Sequence, residues 1–317
     1  MTKTKSVHAQ KTGPRFDFDG VDDKYLQAFG CYPYLTALQV SRLLYKPAQK
    51  PGGRPGSFTT AAARLKALMD NGYLLAIPLP TIRAKSPLLY IPADKGRKYI
   101  VDELGLEVMG SSFRPAKEEK KASYEWFMHV LETTDALIAA EQVVKQVKWL
   151  HLETVEHYLL LKDPPLVSVV TPRKDGKKYT SVEFDGLLRF RIEKEGDGGE
   201  RFVLLWLELD RGRVKEHAFK EKIRDIVRLY EEGGYEKRFR TRAGIFAFAT
   251  THSARRCEAM RLWAREELKA IKAQHYWYQR FAFTALPSDI DPIELYLGNV
   301  WYLCTDTSKQ LALLRRD

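Results

Sequence analysis

Two acidic pairs carry the strongest chemical signal in the chain, Glu183 with Asp185 and Glu208 with Asp210. One apolar residue separates the members of each pair. Residues two apart on a β-strand share a face, so each pair would present both carboxylates to one side. The second pair ends Arg201-Phe-Val-Leu-Leu-Trp-Leu-Glu-Leu-Asp210, a nearly continuous apolar run that reads as a strand buried on both faces. Unpartnered carboxylates are costly there, and a hard divalent cation relieves their repulsion. Magnesium is commonly held by one or two carboxylates, waters and a phosphate. Asp185, Glu208 and Asp210 are therefore the candidate ligands of Mg2+ or Mn2+. A nearby Lys would orient the attacking water or stabilise charge on a phosphate. In the competing metal-free reading, Arg211, Arg213 or Lys220 neutralises Glu208 and Asp210 as salt bridges.

The elements that must position these groups follow from the surrounding pattern. Residues 123 to about 147 read as a long helix, and 149–161 as a short helix or strand. Residues 181–192 and 201–210 read as strands of a hairpin whose turn, 193–200, is rich in Gly and charge. A helix from about 214 to 232, a strand over 244–250 and a helix over 253–271 complete the block. At the start of that last helix Ser253 can cap the free amides, and Arg255 and Arg256 could hold a phosphate. His129 and Glu132 share a face of the long helix, where ordinary amphipathic placement is expected. The run His275-Tyr-Trp-Tyr-Gln-Arg-Phe281 could stack on splayed bases, but packing against the sheet is expected.

An earlier apolar-periodic block runs from Tyr25 to about Leu104. In 35–45, Thr36 can cap a helix bearing Leu38, Val40, Leu43 and Leu44. A turn rich in Pro and Gly separates it from a helix over 57–70, which Asn71-Gly72 stops. Two short strands, 73–79 and 87–91, and a helix over 94–104 follow. Helix, turn, helix, hairpin, helix is the winged helix-turn-helix order. Positions 41–98 hold eleven Lys or Arg against two acids, an excess suited to phosphate contacts with double-stranded DNA. Thr60, Arg64 and Lys66 on the second helix, and Arg83 and Lys85 in the wing loop, are the candidate DNA contacts.

The second block resembles the PD-(D/E)XK nuclease fold. Asp185 matches the first acid of that family, preceded by Phe184 where Pro is often found, and Glu208 matches the second. Asp210 stands where the family has Lys, a departure that Lys220 or Lys222 from the following helix could repair. Taken whole, the chain resembles the replication-relaxation family of mobile-element proteins. The residues that carry this likeness are Ala63-Arg-Leu-Lys-Ala-Leu-Met-Asp-Asn-Gly-Tyr-Leu, Phe184-Asp185, and Leu207-Glu-Leu-Asp-Arg-Gly followed by Lys220, Lys222 and Tyr230. The resemblance implies an α+β chain, with a winged helix over 21–108, a linker over 109–122 and an αββαβ nuclease-like core within 123–317. It also implies DNA processing in replication, relaxation or mobilisation of a plasmid, with mobilisation or replication proteins and a second copy of the chain as candidate partners.

Composition narrows the classes further. The 317 residues carry a formal net charge of +11 and are 44% hydrophobic, a balance that favours a folded protein with a polyanionic partner. Cys31, Cys257 and Cys304 match no zinc spacing and argue for a reducing compartment. The basic, polar lead over 1–20 has no apolar core and no run suits a membrane span, so a cytoplasmic location is expected. Two rival functions stand beside a Mg2+-dependent endonuclease. One is a non-catalytic accessory protein or transcriptional regulator with a degenerate nuclease-like domain. The other is a relaxase using Tyr230 or Tyr235 as nucleophile.

Overall fold

The computed structural model describes residues 20–45, 57–79, 87–106, 123–157, 167–169, 180–196, 198–287, 289–305 and 309–316. Arg83, Lys85, the expected linker 109–122 and the lead through residue 19 lie outside the described residues. The chain is mixed α and β. Among the described residues, no helix is long and apolar enough to cross a membrane.

The N-terminal unit begins with α1 (Gly20–Cys31), a helix that no sequence motif marks. Leu35 and Thr36 form a two-residue strand, β1, paired with Tyr90 and Leu89. The next helix, α2 (Ala37–Leu44), is capped as expected. Thr36 Oγ1 accepts from the Gln39 amide at 3.3 Å, and Gln39 Oε1 accepts from the Thr36 amide at 2.9 Å. Such a reciprocal box satisfies two amides that a helix start otherwise leaves open. After α3 (Phe58–Asp70), Gly72 takes φ +77, the left-handed conformation that releases the chain into β2 (Leu74–Pro78). Strand β3 (Leu88–Pro92) pairs antiparallel with β2, giving a three-stranded sheet of order β1-β3-β2. Helix α4 (Asp94–Asp102) closes the unit.

The second unit opens with α5 (Tyr124–Gln146), whose cap, Ser123, accepts from the Trp126 amide at 3.2 Å. The ambiguous stretch after it is a strand, β4 (Leu150–His157). The expected strand over 181–192 is broken in two. Its start belongs to a small hairpin, β5 (Val167–Val169) with β6 (Thr180–Val182), and its remainder is β7 (Gly186–Glu193). Then come β8 (Glu200–Asp210), α6 (Glu216–Glu231), α7 (Gly234–Phe239), β9 (Ile245–Thr250) and α8 (Ala254–Ala270). Beyond the elements expected from sequence lie β10 (Phe281–Ala285), α9 (Pro292–Leu297), β11 (Trp301–Leu303) and β12 (Gln310–Leu311).

These strands build a seven-stranded sheet of order β12-β11-β10-β9-β8-β7-β4. The pairs β8/β9 and β9/β10 are parallel, and the others are antiparallel. Strand β8 is an interior strand, buried on both faces. Leu205, Leu207 and Leu209 join the core beneath α5, while Leu204 and Trp206 join the core beneath α6 and α8. That is why its sequence reads apolar throughout. In the aromatic run, Trp277 and Phe281 are fully buried in this second core, so packing wins over base stacking there.

The N-terminal unit packs on α5 through a core that includes Tyr25, Phe29, Leu137 and Val143. Hydrogen bonds fix the register of that contact. Gln39 Nε2 donates to Leu131 O at 3.0 Å, Gln142 Nε2 to Arg42 O at 3.0 Å, and Lys145 Nζ to Leu43 O at 2.9 Å. With α2 held against α5, the outer face of α3 stays open, exposing Thr59, Thr60, Ala63, Lys66 and Asp70.

Candidate functional site

The break between β6 and β7 decides which acid enters the site. Because the chain turns at 183–185 instead of continuing as a strand, Glu183 is exposed and Asp185 is buried. The expected pairing of those two carboxylates therefore does not form. Asp185 Oδ2 accepts from the Leu209 amide at 2.7 Å, tying it to the end of β8, and Oδ1 accepts from His129 Nε2 at 2.9 Å. His129 thus does reach the site, contrary to the placement expected for it. Its helix partner Glu132 accepts from Thr251 Oγ1 at 2.9 Å and lies 3.0 Å from Arg211 Nε.

Glu208 and Asp210 share the α6/α8 face of β8 but meet different cations. Lys222 Nζ on α6 lies 2.5 Å from Glu208 Oε1 and 4.8 Å from the centre of the Phe184 ring. Asp210 is held by Arg256 from α8, whose Nε and Nη2 reach its two oxygens at 2.8 and 3.1 Å. The Gly212 amide at 2.9 Å and Thr250 Oγ1 at 3.3 Å complete its shell. Asp210 is therefore a structural anion that joins β8 to α8, not a free ligand beside Glu208. Gly212 has φ +79, and a Cβ there would come within 2.5 Å of the His252 ring, so the turn after β8 requires glycine.

Lys220 also leaves the expected role. It pairs with Glu216 at 2.6 Å and Glu266 at 2.7 Å on the outside of α6 and α8, away from the acids. The cation that arrives is Lys222. Neither Arg211 nor Arg213 pairs with Glu208 or Asp210. Arg211 turns to Glu132, and Arg213 to Glu125 at 3.4 Å.

Electrostatics follow from this arrangement. Burial pushes the Glu208 carboxyl up to about 7, the charge of Asp185 adds to the shift, and Lys222 opposes it. Burial disfavours the charged form of His129, yet the hydrogen bond and charge of Asp185, with the charge of Glu208, raise it above the ordinary imidazole value. Burial likewise works against the charge of Asp210, but Arg256 and the Gly212 amide outweigh it and lower that carboxyl. The result is a cluster at the carboxyl end of β8 of two acids, an imidazole and one ammonium. The carboxyl ends of parallel strands are where open α/β sheets place ligands.

Among the described residues, no group of three or more His, Cys, Asp or Glu side chains forms a metal-holding cluster. Asp185 and Glu208 nevertheless supply two carboxylates to this site, and burial with the charge of Asp185 raises the Glu208 carboxyl. That donor set fits a single Mg2+ completed by waters and a phosphate, and does not extend to Asp210.

The expected DNA contacts separate in the same way. Thr60 and Lys66 are exposed on α3, with Lys66 also paired to Asp70. Arg64 is turned inward and forms a two-pronged pair with Asp22, a fully buried residue of α1, so it secures the fold. Arg255 is exposed on the first turn of α8, whose cap Ser253 accepts from the Arg256 amide at 3.1 Å. Arg256 is committed to Asp210 and cannot also hold a phosphate. Tyr230 and Tyr235 are buried, and their hydroxyls donate to the Arg242 and Ala243 carbonyls, which removes them as nucleophiles.

Comparison with protein-family models, curated proteins and solved structures finds no match for this chain.

Proposed function

We propose that this is a cytoplasmic DNA-processing protein in which a winged helix-turn-helix binds duplex DNA and a PD-(D/E)XK-like domain hydrolyses a phosphodiester bond. The observation that carries the reading is the approach of Lys222 to Glu208, 2.5 Å across the end of β8 and beside buried Asp185. An acid at the end of the strand, a second acid from the preceding turn and a lysine from the following helix match the family resemblance, with the lysine displaced from position 210. The order α5, β4, β7, β8, α6, β9 supports the same assignment. The N-terminal elements and the open face of α3 support a winged helix, with Thr60 and Lys66 at the DNA and Arg255 at a phosphate nearer the acids.

Asp185 and Glu208 would hold Mg2+ or Mn2+, which when bound polarises the scissile phosphate. His129 orients Asp185, and Lys222 faces charge developing on the phosphate. Water is the nucleophile. Its oxygen bonds to phosphorus, one P–O ester bond breaks, and the proton lost by water balances the proton taken by the departing oxygen. By the resemblance to the replication-relaxation family, the substrate belongs to a plasmid or another mobile element.

A second reading, a non-catalytic accessory or regulatory protein, is favoured by the closed partnering of Asp185 with His129 and the Leu209 amide. Incubation with supercoiled plasmid and Mg2+, Mn2+ or EDTA separates the two. The nuclease reading expects metal-dependent nicking or cutting that an Asp185→Ala, Glu208→Ala double variant loses. Folded protein that shifts DNA in a gel without cutting it supports the accessory reading.

A further inference from the structure

On the sheet face shared with α7, a cavity of about 480 Å3 opens between β4, β7 and β8 on one side and α7 with the loop after it on the other. Its walls carry Arg189, Arg238 and Arg240, with Glu156 as the acidic group among its lining residues. Arg189 lies 3.3 Å from Glu153 Oε2, whereas Arg238 and Arg240 are exposed and neither makes an ion pair with a described residue. Phe202 stands in the same cavity, 44% exposed, with the Arg189 guanidinium 4.9 Å from its ring centre.

Arg240 adds an independent observation. It caps α7 in the left-handed conformation, φ 55, where glycine is the ordinary residue. A non-glycine residue held in that region is strained, and strain of this kind collects at binding sites. Here it keeps a cation at the cavity mouth that glycine would remove.

We propose that this cavity is a groove for single-stranded DNA, with Phe202 stacking on one base and Arg238 and Arg240 contacting the phosphates on either side. Charge complementarity selects a polyanion, and the open ring selects bases that are not already stacked in a duplex. Leu187, in the groove floor, lies two residues along the chain from Asp185, and Leu204 lies four residues along β8 from Glu208. At strand rise these separations are roughly 7 and 13 Å along the chain, and buried Trp206 lies between Leu204 and Glu208 on that face of β8. The proposal rests on the nuclease reading for its purpose, but its binding test stands apart from cleavage.

The test is fluorescence anisotropy of the full chain with labelled oligothymidylate of fifteen nucleotides and with a duplex of the same length, without divalent metal. The variants are Phe202→Ala, Phe202→Leu and an Arg238→Ala, Arg240→Gly double variant. Phe202→Ala should weaken oligothymidylate binding roughly fivefold or more, and Phe202→Leu, which keeps the apolar surface without the ring, should behave like it. The double arginine variant should also weaken binding and lower the log–log salt slope by about 1.4, at about 0.7 for each phosphate no longer neutralised. Duplex binding should hold, because α3 is untouched. Unchanged oligothymidylate binding in these variants overturns the groove, as does an equal loss for single strand and duplex. Groove binding by a wild-type protein that cuts no plasmid would leave this proposal standing while the nuclease reading falls.

Discussion

Lys222 reaches Glu208 from α6, and Arg256 reaches Asp210 from α8, so two acids on the same face of one strand belong to two different electrostatic systems. The first is a single ammonium on Glu208, both side chains about a fifth exposed. The second is closed by two guanidinium hydrogen bonds, an amide and a hydroxyl.

The Glu208 carboxyl should make the metal-free protein less stable as pH rises. Its folded value of about 7 lies above the ordinary value of 4.5. The protonated form therefore stabilises the fold fully below pH 4.5, and that contribution is lost as pH rises through 7, up to about 3 kcal/mol. Urea melts from pH 4.5 to 8 in EDTA should show this slope and show it flattened in Glu208→Gln. Millimolar Mg2+ should raise the melting temperature of wild type near pH 7.5, and should not do so for an Asp185→Asn, Glu208→Gln double variant.

Arg256→Met leaves Asp210, which is 2% exposed, without its countercharge. Breaking a buried pair in this way costs roughly 3–5 kcal/mol, read as a lower urea midpoint. Asp210→Asn should lose stability too, yet keep the Mg2+-induced rise in melting temperature. A lost metal response in folded Asp210→Asn would return that residue to the metal site.

Arg64 and Lys66 stand two residues apart on α3 and should fail differently. Arg64→Ala removes the countercharge of the fully buried Asp22 carboxylate and should cost about 3 kcal/mol in a denaturant melt. Lys66→Ala should leave the midpoint within about 0.5 kcal/mol while weakening duplex binding and lowering its salt slope by about 1. A melt and a salt titration on each variant check both.

His157 joins the two units. Its Nε2 donates to the Cys31 carbonyl at 2.8 Å and its ring stacks on Tyr32 at 5.2 Å. Burial lowers it from 6.5 to about 4. The unfolded chain therefore takes up a proton at higher pH than the folded one, and stability should fall as pH drops from 6.5 towards 4, by up to about 3 kcal/mol. Acid melts of His157→Gln, in which this part of the slope is missing, check the assignment.

Much of the scaffold was legible because local chemistry agreed with the fold. Thr36, Asn71-Gly72 and Ser253 mark helix ends through their own hydrogen bonds or backbone conformations, and those boundaries match. The apolar run of β8 announced its place inside the sheet. What failed depended on distant partners. The reading of 181–192 as one strand could not register the turn that buries Asp185 and exposes Glu183. Lys220 and Lys222 lie two apart on a helix, about 200° around its axis, so only one of them can face β8, and the sequence alone did not say where β8 lies. Arg64 reads as a surface cation until the buried Asp22 of α1, an element without a strong apolar period, is placed beside it.

The most direct test compares nicking of supercoiled plasmid in Mg2+ by Lys222→Met and Lys220→Met. Both variants remove an ammonium from α6, but only Lys222 faces Glu208. The expected result is metal-dependent nicking by wild type and by Lys220→Met, with at least a hundredfold loss in Lys222→Met, about 2.7 kcal/mol in the barrier. Nicking by Lys222→Met at the wild-type rate, or no nicking by folded wild type, would contradict the assignment of this site.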